Sequence, residues 1–409
     1  MKNRLNRRQF LAVSAAVSAP LFLPGRVLGL DKGVSPNNKL VTAFIGLGNR
    51  GSENLGAFLG NQEFQVVAVC DCYDKHSRVA KERVDNRYNN KDCKIISKYE
   101  DVLARGDIDV VEISTPDHWH TKISVEACKA GKDVYCEKPL TLTLAEGKQI
   151  VAGARKYDRV CTSGSQRVME DYGYMAPVVQ SGTIGEVKEV LVGVGSPPKP
   201  CYFPEEPLPE GLDWDRWLGQ APWAPYSEER MSGNYGGGWR RFEDYCGGFL
   251  ADWGAHKFGG VMYALGLDDT GPTEILPPGV DGQFATAIFK NGIKMRHGGG
   301  DITFIGTERE YKHNVDRDLK PIKTVDVRRY SGGATNLLAD FAYCVRNRIR
   351  PFQDFEYGAR TAAVCQLFNI CYKLNRPLKW DPDNTCFIDD EQANRMVSRP
   401  QRSPYGIEV

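Results

Sequence analysis

The sequence predicts an α/β N-terminal domain on a doubly wound parallel sheet, followed by an α+β C-terminal domain with a mostly antiparallel sheet. Three observations carry this expectation. Short apolar runs alternate with helical patterns from position 40 to about 163, the order that βαβ units impose. Past residue 165 the alternation stops, and two runs within 284–296 are joined at Asn291-Gly292, a hairpin signal. The 409 residues also exceed the size at which a single hydrophobic core stops growing.

Residues 1–29 read as a twin-arginine signal segment outside the fold. Arg7-Arg8 precedes Gln9, Phe10 and Leu11, with Asn6 where Ser or Thr is usual and Ala12 where Lys is common. The apolar stretch 11–23, broken by Pro20, is short for a bilayer span. Export by the twin-arginine route to the periplasm is expected, with no stable membrane association once the segment is removed. Residues 30–38, with Gly33 and Pro36, read as a linker.

Residues 39–165 form the predicted first domain. Its strands are expected at 40–45, 64–70, 94–97, 109–113, 133–136 and 159–163, with helices at 51–60, 74–88, 98–105, 118–131 and 143–157. Residues 166–380 form the second. A helix at 168–181 precedes a strand at 187–194, and a Pro- and Trp-rich excursion runs from 196 to about 246. A helix at 248–265, the paired strands, a strand at 301–305 and helices at 336–347 and 356–375 follow. Residues 381–409 read as an extended tail.

The first strand ends in Gly46-x-Gly48-x-x-Gly51 and a helix begins there. Gly46 allows the sharp turn, Gly48 removes a side chain where a pyrophosphate must approach, and Gly51 lets helix and strand pack closely. The helix N-terminus offers unpaired N–H groups to phosphates. Asp71 follows the second strand, twenty positions after Gly51. A carboxylate there accepts ribose hydroxyls and repels a 2′-phosphate, which favours NAD over NADP. In such sheets ligands sit beyond the carboxyl ends of the strands. That places Thr115, Pro116 and His120 after the fourth strand, and Glu137, Lys138 and Pro139 after the fifth.

Lys138 is a surface lysine or a catalytic one, able to polarise a substrate oxygen. Asp252 and His256 stand at i and i+4 of one predicted helix, so they share a face. Asp252 either forms a plain surface contact with His256 or orients it, leaving the other ring nitrogen as a proton acceptor. Trp214, Trp217, Trp223, Trp239 and Trp253 cluster nearby; they pack the excursion down or stack on a sugar's C–H face.

Composition excludes other classes. The formal net charge of +1 gives no field for nucleic acid. The 12 cysteines are scattered, many in apolar patterns, so buried free thiols are expected rather than disulfides. Cys70-Asp71-Cys72 lacks partner ligands at zinc spacing, so no metal is expected.

Together the glycine turn, Asp71, the loop from Thr115 to His120, Glu137-Lys138-Pro139, Gly164-Ser-Gln166-Arg167 and Gly247-Gly248-x-x-x-Asp252-x-x-x-His256 resemble the Gfo/Idh/MocA oxidoreductase family, which includes glucose–fructose oxidoreductase and inositol dehydrogenase. The resemblance spans most of residues 40–375. It implies a Rossmann domain, then an α/β domain with an open antiparallel sheet that serves oligomer contacts, so a homo-oligomer is expected. It implies catalysis by Lys138, Asp252 and His256. It implies a cofactor site of Gly46, Gly48, Asn49, Arg50, Gly51, Asp71, Thr115, Pro116, His120, Glu137 and Gln166, with Glu137 and His120 near the nicotinamide. Arg167, Trp239 and Arg240 join the catalytic group around the substrate. The stretches 212–219 and 239–242 resemble exported bacterial members, and Lys257 stands where some relatives carry a second His. The implied activity is NAD-dependent hydride transfer with a sugar, polyol or glycoside hydroxyl as the small-molecule partner. The alternatives are redox-neutral glycoside cleavage (oxidation, elimination, hydration, reduction) with tightly held NAD, and a non-catalytic binding protein.

Overall fold

The computed structural model describes residues 38–232 and 237–409. The predicted signal segment 1–29 and all of the linker but Asn38 lie outside the described residues.

The first domain has strands β1 (Leu40–Ile45), β2 (Phe64–Cys70), β3 (Lys94–Ile96), β4 (Val110–Ile113), β5 (Asp133–Cys136) and β6 (Cys161–Ser163). They form one parallel sheet in the order β3-β2-β1-β4-β5-β6. Between them run α1 (Asn49–Gly60), α2 (Asp74–Tyr88), α3 (Tyr99–Leu103), α4 (Asp117–Lys129) and α5 (Leu144–Lys156). The central strands β1, β4 and β5 are almost wholly buried, as helices on both sides require, whereas the edge strand β3 is largely exposed. The order reverses between β1 and β4, so a crevice opens at their carboxyl ends.

The second domain's sheet contains β7 (Val187–Val192), β8 (Pro272–Leu276), β9 (Ala285–Phe289), β10 (Lys294–His297), β11 (Ile302–Gly306), β12 (Glu310–Lys312), β13 (Leu378–Asp381) and β14 (Cys386–Phe387). Its order is β12-β11-β7-β10-β9-β8-β13-β14. Only the β7–β10 pair is parallel among its described pairings. The strands beside Asn291-Gly292 stop short of it, and Gly292 closes the loop at φ +84°. Helix α6 (Gly248–Leu265) lies across this sheet, buried on almost every side, and ends at Gly266 in the left-handed conformation.

Two more helices tie the domains together. From α7 (Leu337–Asn347), Phe341 stacks on Phe64 with centroids 6.4 Å apart, completing the core on one face of the parallel sheet. From α8 (Phe355–Leu374), Phe355 and Ala359 enter the core on the other face. The chain before α8 pairs directly with β6: Ser163 N–H donates to Gln353 O at 2.8 Å.

Two expectations are corrected. The helix expected at 168–181 is two short pieces, Arg167–Glu170 and Met175–Gln180. A Cβ on Gly173 would stand 2.5 Å from Met169 O, and Pro177 has no N–H with which to continue an earlier turn. In the excursion, most of the tryptophans pack it down. It builds its own core around Trp217, Phe242 and Tyr245, and bridges the loop after β2 at Tyr73 and Leu212. The last residues are not a simple extended tail either. They supply β14 and a short helix (Glu391–Asn394), then return to the first domain, where Tyr405 packs edge-on against Trp119 at 5.4 Å. Partners far along the chain hold these segments, so no local pattern announces them. All 12 cysteines are free, ten of them buried.

Candidate active site

The crevice is a cleft of about 470 Å³ at the carboxyl ends of β1, β2, β4 and β5. Gly46 turns the chain there at φ +89°, and a Cβ on it would stand 2.7 Å from the Ser114 carbonyl carbon. A Cβ on Gly51 would meet Gly46 O at 2.1 Å. A Cβ on Gly48 meets nothing within 4 Å; Gly48 borders the cleft beside the start of α1. Asp71 closes one end: its Oδ2 accepts from Leu47 N–H at 2.7 Å and its Oδ1 from Tyr73 N–H at 2.8 Å. Glycine turn, helix N-terminus and carboxylate lie along one wall in the order phosphates and ribose require, so these residues fit a nicotinamide dinucleotide. Tyr99 and Trp119 add aromatic surface. The excursion contributes Leu212, Arg216, Trp217 and Met231 to the wall, and Asp74 N–H donates to its Gly211 O at 2.9 Å.

At the other end, Lys138 reaches across the domain boundary. Its Nζ donates to Asp252 Oδ1 on α6 at 2.6 Å, and Arg240 Nε lies 3.8 Å from the same oxygen. Glu137 beside it is buried. Its Oε1 accepts from Arg50 Nε at 2.7 Å and from Asn54 Nδ2 at 3.0 Å. Burial alone would raise the Glu137 pKa; the charges of Arg50 and Lys138 bring it below that of a free glutamate. Asn54 also donates to Glu112 Oε1 at 2.7 Å, and Ser114 Oγ donates to the same oxygen. Glu112, wholly buried in the central strand β4, has its carboxyl pushed up to about 8 by burial.

His256 is buried on α6, one turn beyond Asp252. Burial, then the positive charges of Lys138, Arg167 and Arg50, hold its pKa well below the usual imidazole range. It is therefore neutral at neutral pH, with an unprotonated ring nitrogen. Its Nδ1 has no hydrogen-bond partner among the described residues.

Of the expected residues, Gly46, Gly48, Asn49, Arg50, Asp71, Thr115, Pro116, Glu137, Lys138, Trp239 and Arg240 line the cleft. Gly51 packs beneath the turn, while Asp252, His256 and Arg167 gather behind and beside Lys138. Three placements are corrected. The Asp252 carboxylate bonds Lys138 rather than His256, because the ammonium reaches it first and binds it as an ion pair. His120 does not line the cleft. Its Nδ1 and Nε2 donate to the carbonyls of Pro139 (2.8 Å) and Thr115 (2.9 Å), pinning the two loops together. Burial opposes its charge, but Cys136, Asp117 and the Pro139 carbonyl outweigh it and raise its pKa to about 10. Gln166 lies behind Arg50, its amide oxygen accepting from Nη2 at 3.2 Å. Lys257 pairs with Asp301 at 3.0 Å and bonds Gly193 O. Sequence reasoning missed Glu112 and Asn54; a lone Glu inside an apolar strand was the available signal.

Comparison with known proteins agrees with this fold. Residues 40–165 match the GFO_IDH_MocA domain, described as the NAD-binding Rossmann fold of an oxidoreductase family, and residues 199–407 match that family's C-terminal alpha/beta domain. The chain is similar to a glycosyl hydrolase family 109 protein 1 of Shewanella sp. (strain MR-4), 28% identical over 210 residues, 45% of each chain. A family 109 protein of Shewanella baltica (strain OS185) is 32% identical over 197 residues, 43% of this chain and 40% of the relative. The chain thus matches less than half the length of these curated relatives. In fold it is similar to myo-inositol 2-dehydrogenase from Lactobacillus plantarum, with TM-score 0.57, 16% identity, and 83% and 99% of the two chains covered. Aldose-aldose oxidoreductase from Caulobacter crescentus gives 0.56, 16%, 83% and 99%.

Two predictions follow from the cleft's walls. Gly48→Ala should fold with wild-type stability and lose nucleotide affinity, whereas Gly46→Ala should lower the melting temperature itself; calorimetry and nucleotide titration on both variants separate the two. Glu112 keeps its proton when folded up to about pH 8, against 4.5 for a free glutamate. Its contribution to stability is complete below 4.5 and lost as pH rises through about 8. Glu112→Gln, which keeps the bonds from Asn54 and Ser114, should flatten the fall of melting temperature over that window. Equal slopes in the two proteins would mean that Glu112 is charged at neutral pH.

Proposed function

This chain belongs to the Gfo/Idh/MocA oxidoreductase family, and from that premise we propose that it transfers a hydride between a hydroxyl of a sugar, polyol or glycoside and NAD. The observation that carries the reading is the Lys138–Asp252 ion pair at the cleft's end, one turn of α6 from a neutral, buried His256. Bound in the cleft, the nicotinamide supplies the hydride acceptor. His256 takes the substrate hydroxyl's proton, for which its uncharged state suits it. Lys138, held in place by Asp252, carries the charge that develops on that oxygen. Asp252 thus acts on the lysine and not, as the helix spacing suggested, on the imidazole. Arg167, Trp239 and Arg240 stand around the substrate. NAD rather than NADP is supported by Asp71, whose carboxylate would repel a 2′-phosphate. Export to the periplasm, inferred from Arg7-Arg8 and the apolar stretch behind it, and assembly into a homo-oligomer complete the proposal.

Lys138→Ala and His256→Ala should each lower turnover of a true substrate by about 10²–10⁴-fold without loss of bound nucleotide. Wild-type rates in both would remove these residues from the chemistry.

A second reading is favoured by the similarity to family 109 glycosyl hydrolases. Here the same residues serve a redox-neutral cleavage of a glycoside, with NAD kept in the cleft and restored in each cycle. Protein purified without added nucleotide, then denatured, should release close to one NAD(H) per chain in this case, and should hydrolyse a glycoside with none supplied. An empty site that takes NAD reversibly would leave the exchanging dehydrogenase. Release of NADP would overturn the assignment to Asp71.

A further inference from the structure

The end of the cleft closed by Asp71 holds a second titratable group, which the chemistry at the far end leaves aside. His76, in the first turn of α2, lines the same wall, with its Nδ1 3.4 Å from Asp71 Oδ2. Its side chain is 38% exposed, whereas that of Asp71 is 9% exposed. The Tyr73 ring braces the imidazole edge-on at 5.0 Å. Backbone N–H groups of Leu47 and Tyr73 fix the orientation of the carboxylate, so the imidazole beside it sets how much net charge this end presents. Asp74 and Lys75 precede His76 on α2, and the opposite wall brings Glu228 and Arg216, the latter paired with Glu100 at 3.0 Å. The hydrogen bond to Asp71 raises the His76 pKa above the usual imidazole value, against the opposing effects of burial and of Lys75. His76 is charged below that raised value and neutral above it.

We propose that His76 sets the choice between NAD and NADP and makes that choice depend on pH. Charged, it neutralises Asp71 and offers a cation to a 2′-phosphate. Neutral, it leaves Asp71 to repel that phosphate. The inference rests on the reading of Asp71 above and adds to it a second residue and a condition. NAD, with a hydroxyl in that place, meets the carboxylate in both states, because a carboxylate has lone pairs beyond those its two backbone donors use. A phosphate carries close to two negative charges above about pH 6. One proton on the imidazole therefore acts strongly on NADP and weakly on NAD.

Competition between the two nucleotides tests this without any substrate. The full-length protein is equilibrated with an equimolar excess of NAD and NADP, freed of unbound nucleotide and denatured, and the released NADP:NAD ratio is measured. Variants are compared at one pH at a time, so that the phosphate's own ionisation cancels. At about pH 6.5, His76→Gln, which cannot take a charge, should carry about tenfold less NADP relative to NAD than the wild type, and at about pH 9 the same. His76→Lys, charged throughout, should match the wild type at about pH 6.5 and exceed it about tenfold at about pH 9. Equal ratios in wild type and His76→Gln at the lower pH overturn the proposal, as does NADP bound by neither. Should His76→Gln fail to fold, His76→Lys decides: a ratio equal to the wild type's at about pH 9 overturns it. Failure of the Asp71 reading is separate, visible as more NADP than NAD on the wild type at about pH 9 with the differences between variants intact.

Discussion

The ion pair between Lys138 and Asp252 is the constraint on which the site depends. It joins the loop after β5 to helix α6, and so the nucleotide domain to the domain that faces it, with both side chains largely out of water. An ion pair withdrawn from solvent is costly unless its geometry is good, and breaking it leaves an uncompensated charge. The two domains are therefore held in the one arrangement that satisfies it. The ammonium then fixes the state of its neighbours. It helps to keep Glu137 ionised and, with burial, His256 neutral. Both groups are thereby left without their proton, and an unprotonated imidazole is the form that can accept one from a hydroxyl.

Behind that pair runs a buried polar chain. Glu112, Asn54, Glu137 and Arg50 are linked by hydrogen bonds from the centre of the parallel sheet to the rim of the cleft. Networks of this kind are stabilising when satisfied and expensive when not. A neutral Glu112 spares the sheet a second buried negative charge next to Glu137. The chain holds Arg50, and through Glu137 the backbone of Lys138, whose N–H donates to Glu137 Oε2 at 3.1 Å.

The cleft is also bounded by segments with little regular structure. The excursion covers its side, and the returning C-terminus anchors the excursion: Tyr405 OH donates to Asp215 Oδ2 at 2.7 Å, and Arg402 Nε to Gly219 O at 3.0 Å. Residues almost two hundred positions apart thereby form one wall of a site whose floor is the glycine turn.

The chain's own order of residues determined much of this. A glycine turn needs positive φ at Gly46 and no side chain at Gly48 or Gly51, and those demands are local, so strand, turn, helix and acid were legible as they stand. So were α6 and the positions of Lys138, Asp252 and His256. The strands β8, β12, β13 and β14, the split helix after Arg167 and the returning tail were not, because their stability comes from partners far along the chain. The roles within the site were not either. Spacing put Asp252 and His256 on one helix face, but the carboxylate went to a lysine 114 positions away. The same distance-blindness placed His120 against a nicotinamide when two backbone carbonyls claim it. Sequence determined which reactive groups are present and on which elements; tertiary structure decided which of them touch, because hydrogen bonds and charges pair by proximity in space, and burial sets which partner prevails.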